Sequence, residues 1–141
     1  VGIDFGLKHI GIALSDSSLV LAFPSCEITA GKNPEESAKR VWDSLQKEMK
    51  DKQFEITLFV VGLPKTLRGE IRERAEQVEL FAKTLELLSS KSVHYMDERL
   101  STVQAERSLK ELSLTRKERS KHIDEVSAAL LLQSYLDMKK I

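Results

Sequence analysis

Residues Glu55–Gly62 read "EITLFVVG", and the run from Ile56 to Val61 lacks the apolar–polar alternation of a half-solvated strand. An unbroken pattern of this kind marks a strand covered on both faces, which is the habit of an interior parallel strand. Helical patterns flank it. Upstream, Asn33-Pro34-Glu35-Glu36 is a helix start, with Asn33 as N-cap, proline in the first turn and acids at the positive end of the dipole. Ala38, Val41, Trp42, Leu45 and Met49 then share one helical face. Downstream, Ile71, Ala75, Val78, Ala82 and Leu85 stripe a second helix, and "SVHYM" at 92–96 supplies another short strand. "STVQAERSLKEL" (101–112) starts a third helix with a Ser101–Gln104 capping box, and "HIDEVSAALLLQSYL" (122–136) closes the chain as an apolar helix.

The chain opens with "VGIDFGLKHIGIALSD" at 1–16. Residues 1–5 and 9–15 are strand-like runs separated by a Gly6-Leu7-Lys8 turn. A third run follows over Val20–Thr29, where Pro24 requires an edge or irregular strand. Three consecutive strands suggest an antiparallel meander. The resulting order is three strands, helix, strand, helix, strand, helix, helix, which predicts an α/β domain whose mixed sheet is sandwiched by helices.

At 141 residues the chain is expected to be a single domain spanning 1–141. Its 22 basic residues balance its 22 acidic ones, so any nucleic-acid partner must be held by a local basic surface. The single cysteine, Cys26, excludes an internal disulfide and gives no zinc cluster, which fits a cytoplasmic protein. No apolar run is long enough to span a bilayer.

Three carboxylates stand out against their surroundings. Asp4 lies on the first, central-looking strand between two glycines. Glu98 follows the carboxyl end of the Val93 strand. Asp124 heads the last helix, on the face of Ala128, Leu131 and Tyr135. Each has an ordinary explanation: a turn cap for Asp4, solvation or pairing with Arg99 for Glu98, and an N-cap for Asp124 in competition with Ser120. Together they say more. With the first strand central, the three positions can converge at one edge of the sheet, outside the carboxyl ends of the strands. Clustered carboxylates repel unless a cation or a proton joins them. Hard oxygen donors without thiolates select Mg²⁺ or Mn²⁺, and such a cluster suits phosphodiester hydrolysis.

The stretches "GIDFGLKHIGIALSD", "VVGLPKTLRG", "DERLSTVQAE" and "IDEVSAALLLQSYL" resemble, in order and spacing, the YqgF family, also called RuvX. That family is related to the RuvC junction resolvase within the ribonuclease H-like fold. The resemblance implies a central five-stranded mixed sheet, three antiparallel N-terminal strands plus two parallel ones, flanked by helices. It carries the family's acids onto Asp4, Glu98 and Asp124 as metal ligands and catalytic residues. It implies a metal-dependent nuclease that trims the 5′ end of the small-subunit (16S) ribosomal RNA precursor, with a Holliday-junction resolvase as the alternative. Where the family usually reads Thr-Lys-Arg after the first glycine, this chain has Leu7-Lys8-His9. A fourth acid, common in the superfamily, would come from Asp97 or Glu125.

Candidate phosphate contacts are Lys8 in the first turn, Lys65 and Arg68 beside the Gly62-Leu63-Pro64 loop, Arg99, and Lys121 within the basic run "RKERSKH" at 116–122. Arg99 fits an ion-pair partner of Asp97 better than a phosphate clamp. His94 fits a core or surface role better than a catalytic one. The expected partner is nucleic acid, ribosomal precursor before branched DNA, with no membrane. A resolvase would act as a homodimer, whereas RNA trimming is open to a monomer. Two other readings are the phosphate-binding hairpin of an actin-like ATPase or sugar kinase at Asp4-Phe5-Gly6, which would need a second domain and another Asp-Gly phosphate loop for which 141 residues are expected to leave no room, and a non-catalytic nucleic-acid-binding ribosome-assembly module.

Overall fold

The computed structural model describes residues 1–64, 70–98 and 123–139, with side chains described from Arg72 onward in the second stretch and from Glu125 onward in the third. The strands are β1 (Gly2–Asp4), β2 (His9–Ser15), β3 (Ala22–Thr29), β4 (Leu58–Leu63) and β5 (Ser92–Asp97). The described helices are α1 (Pro34–Lys52), α2 (Glu70–Ser89) and α3 (Ile123–Lys139). The expected third helix at 101–112 lies outside the described residues.

The strands form one sheet in the order β3-β2-β1-β4-β5. β1–β2 and β2–β3 pair antiparallel, while β1–β4 and β4–β5 pair parallel. This is the mixed five-stranded sheet expected, with β1 in its centre. β3 forms an edge, where Pro24 is tolerated because no neighbour needs its missing N–H. Between Pro24 and Cys26 the register against β2 shifts by one residue, so Ser25 bulges out.

The alternation of β4 shows why its sequence is apolar throughout. Phe59 and Val61 enter the core beneath α1 and α2, with Ala38, Val41, Leu45, Val78, Phe81 and Leu85. Val60 enters a second core beneath α3, with Ala128, Ala129, Leu131, Leu132, Tyr135 and Leu136. Both faces are dry. The strand begins at Leu58 and runs to Leu63, two residues later than the sequence pattern places it. Ile56, although buried, precedes the ladder. Gly62 and Leu63, expected at the end of this strand as either a phosphate-facing loop or an ordinary strand-to-helix turn, are its last two residues and pair opposite Met96 and Asp97. α1 starts as expected: Asn33 Oδ1 accepts the Glu36 amide at 2.8 Å, with Pro34 at the first helical position.

α3 is held close to the sheet by small residues below it and by one buried amide. A Cβ placed on Gly2 would come within 2.7 Å of Leu132 Cβ and 2.8 Å of the Ala128 carbonyl oxygen. Both atoms are fixed to the helix backbone and cannot rotate away. We therefore expect Gly2→Ala to push α3 off the sheet at a cost of about 1–3 kcal/mol. Urea denaturation would show a lower midpoint with an unchanged slope. At the far side of the sheet Gln133, 1% exposed, accepts the Ala22 amide at 2.8 Å and donates to the Val20 carbonyl at 2.9 Å. These bonds tie α3 to the β2–β3 connection, which Asp16 closes by accepting from Ser18 Oγ at 2.6 Å and from the Val20 amide at 2.8 Å. The Ser18 bond and then the backbone bonds hold the Asp16 carboxyl below its ordinary range.

Candidate active site

Because β1, β4 and β5 are parallel, their carboxyl ends lie along one edge of the sheet. Asp4 is the last residue of β1 and Glu98 the first after β5. On β1, Ile3 points into the α1/α2 core. Gly2 and Asp4, one position either side of it, therefore point to the face that α3 covers. Gly2 gives the helix its close approach, and Asp4 comes out at the strand end where the helix enters.

A cavity of about 250 Å³ opens there, and the described residues that line it are Asp4, Arg74, Glu98, Ser127, Leu130 and Leu131. Two carboxylates nearly a hundred residues apart in sequence share this wall. Leu130 and Leu131 form its apolar side. Glu98 Oε1 is buried with no hydrogen-bond partner among the described residues, and the Arg74 guanidinium forms an ion pair with it, Nη2 at 3.8 Å. That separation makes a charge pair but no hydrogen bond. Gly62 makes the arrangement possible, since a Cβ on it would lie 2.7 Å from Leu131 Cδ1 and 3.1 Å from Glu98 Cγ. The glycine at the end of β4 thus clears space for the acid rather than forming a turn.

Position 124 falls in the first turn of α3. The side chain of Asp124, the third acid expected here, lies outside the described residues. Asp97 and Glu125, the candidates for a fourth acid, do not line this cavity. Lys8 lies in the β1–β2 turn, on a neighbouring cleft of about 470 Å³ with Gly6, Leu7, His9 and Arg74. His9 Nδ1 lies 2.9 Å from Glu27 Oε1 on β3. Lys65, Arg68, Arg99 and Lys121 lie outside the described residues. His94 is exposed, faces the Tyr135 ring at 5.6 Å and does not line the acids' cavity.

Arg74 is the residue that sequence reading missed. Nothing local separates it from Arg72, one of its neighbours on the outer surface of α2. What distinguishes it is tertiary: from α2, this side chain comes within 3.8 Å of Glu98, the residue just past the end of β5.

A mixed sheet built in this order, with α1 and α2 on one face and α3 on the other, is the ribonuclease H-like architecture of RuvC. Over 97% of the chain and 93% of the solved structure, it superposes on Thermus thermophilus RuvC in complex with Holliday junction substrate, with a TM-score of 0.61 and 17% identity. A family model described as "RuvX: Holliday junction resolvase" matches residues 1–138. The chain belongs to the RuvX family. Among curated relatives, a protein of Protochlamydia amoebophila (strain UWE25) named "Putative pre-16S rRNA nuclease" is 41% identical over 139 residues, 99% of this chain and 93% of that protein. A protein of the same name from Geobacillus sp. (strain WCH70) is 39% identical, covering 99% of this chain and 98% of its own length.

Proposed function

We propose that the chain is a single nuclease domain, residues 1–141, that hydrolyses phosphodiester bonds in a divalent-metal-dependent reaction. Its favoured substrate is the 5′ region of the small-subunit ribosomal RNA precursor. One observation carries the chemistry: Asp4 and Glu98 share a cavity wall, and one Glu98 oxygen there is buried without a hydrogen-bond donor among the described residues. A buried carboxylate oxygen in that condition is costly. The donor set is hard oxygen alone, which suits Mg²⁺ or Mn²⁺. Asp4 and Glu98, with Asp124 from the sequence pattern, are the residues that would hold the ion. A divalent ion so bound would acidify an attacking water and stabilise the leaving oxygen.

The chain's own groups supply the remainder. Strand ends fix the two acids on rigid elements, which limits the reorganisation needed during reaction. Leu130 and Leu131 keep one side of the cavity apolar and so strengthen the electrostatics within it. No helix among the described residues is long and apolar enough to cross a membrane.

The relatives' names favour the RNA precursor, and the family's description favours a four-way DNA junction. The deciding experiment offers both substrates side by side with Mn²⁺. We expect site-specific cleavage of the precursor to exceed that of the junction. Preferred junction cleavage would reverse the order. Turnover of neither substrate with Mn²⁺ or Mg²⁺ would leave a non-catalytic binding module in place of the nuclease.

A further inference from the structure

The cavity that holds the acids and the cleft at the β1–β2 turn are neighbours, and Arg74 lines both. On the acid side its guanidinium stands 3.8 Å from Glu98 Oε1, and on the turn side it faces the cleft that Lys8 and His9 border. The Arg74 side chain is half exposed, at 52%. A pair of this length at that exposure is weakly held, and the fork of guanidinium donors makes no hydrogen bond to the carboxylate. Arginine's planar fork matches a phosphate with two parallel hydrogen bonds, which a lysine cannot reproduce.

We propose that Arg74 is a substrate-binding residue that grips a backbone phosphate of the nucleic acid where the strand passes from the β1–β2 turn into the acid cavity. In the free protein it is the counter-charge of Glu98. A cation bound at that carboxylate would weaken the attraction holding Arg74 inward and leave its donors free for the phosphate. Lys8 extends the same basic track along the turn. His9, set against Glu27, contributes less to it, so Arg74 supplies the charge that Leu7-Lys8-His9 lacks. This inference rests on the nuclease reading.

The test is equilibrium binding, followed by fluorescence anisotropy in Ca²⁺ across a salt series. The probes are a labelled fragment of small-subunit ribosomal RNA precursor and a labelled four-way DNA junction, with probe integrity checked on a gel. Wild type is compared with Arg74→Gln and Arg74→Lys, each shown to be folded by thermal melting. Loss of one phosphate contact lowers the salt slope by about 0.9 for a duplex and about 0.7 for a single strand, and affinity by about tenfold at 0.1 M salt. We expect those losses in Arg74→Gln on whichever probe binds. Arg74→Lys should restore the slope but only part of the affinity. Equal affinity and slope in wild type and Arg74→Gln would overturn the Arg74 assignment and leave the nuclease reading intact. Failure of wild type to bind either probe would overturn both.

Discussion

Asp4→Asn is expected to reduce metal-dependent cleavage by on the order of 10³-fold, the scale on which removing a preorganised electrostatic group acts, while leaving the chain folded. The amide keeps the size of the carboxylate and takes away its charge. Asp4 sits at the end of the central strand with Glu98 on the same cavity wall, so the charge lost is one that the proposed ion needs. Two measurements separate this outcome from simple unfolding. Far-ultraviolet circular dichroism should match wild type, because β1 keeps its ladder to β2 and β4. Calorimetric titration with Mn²⁺ should show weakened or absent binding. Retained cleavage in a folded Asp4→Asn protein would mean that the acids at this edge do not carry the reaction.

The carboxylates could be found in the sequence because they are chemically out of place. An acid between glycines on an apolar strand, and another just past a strand end, need a reason that local structure supplies poorly. The same holds for β4, whose doubly apolar pattern follows from cover on both faces, and for Asn33, whose capping role is a local matter of one side chain and one amide. What could not be read depends on elements that meet only in the folded chain. Gly62 next to Leu63-Pro64 looks like a turn, yet it is a strand residue kept small by Leu131 and Glu98. Gln133 looks like one more polar residue on the last helix, yet it is buried and binds backbone groups over a hundred residues away. Arg74 belongs to this second class, since its meaning lies in the two cavities it borders.

The largest loss of stability is expected at Phe59. Its ring is fully buried on the α1/α2 face of β4 and meets Trp42 of α1 edge-on, with centroids 6.3 Å apart. Phe59→Ala removes that contact and leaves a void where α1 must lie against a strand locked between two neighbours, so the site can collapse only a little. Such truncations cost about 3–5 kcal/mol, a large part of the roughly 5–15 kcal/mol that holds a domain together. The melting temperature should fall by about 10 °C or more. Leu87→Ala, on α2 at 76% exposure, should shift stability by no more than about 0.5 kcal/mol. Phe59 faces away from α3, whereas Asp4 and Gly2 face toward it. Well below the lowered melting point, cleavage per folded molecule should therefore remain close to wild type. A Phe59→Ala protein that stays folded but cleaves poorly would show that the two faces of the sheet are coupled, and that the acids depend on packing beneath α1 as well as on the strand ends that carry them.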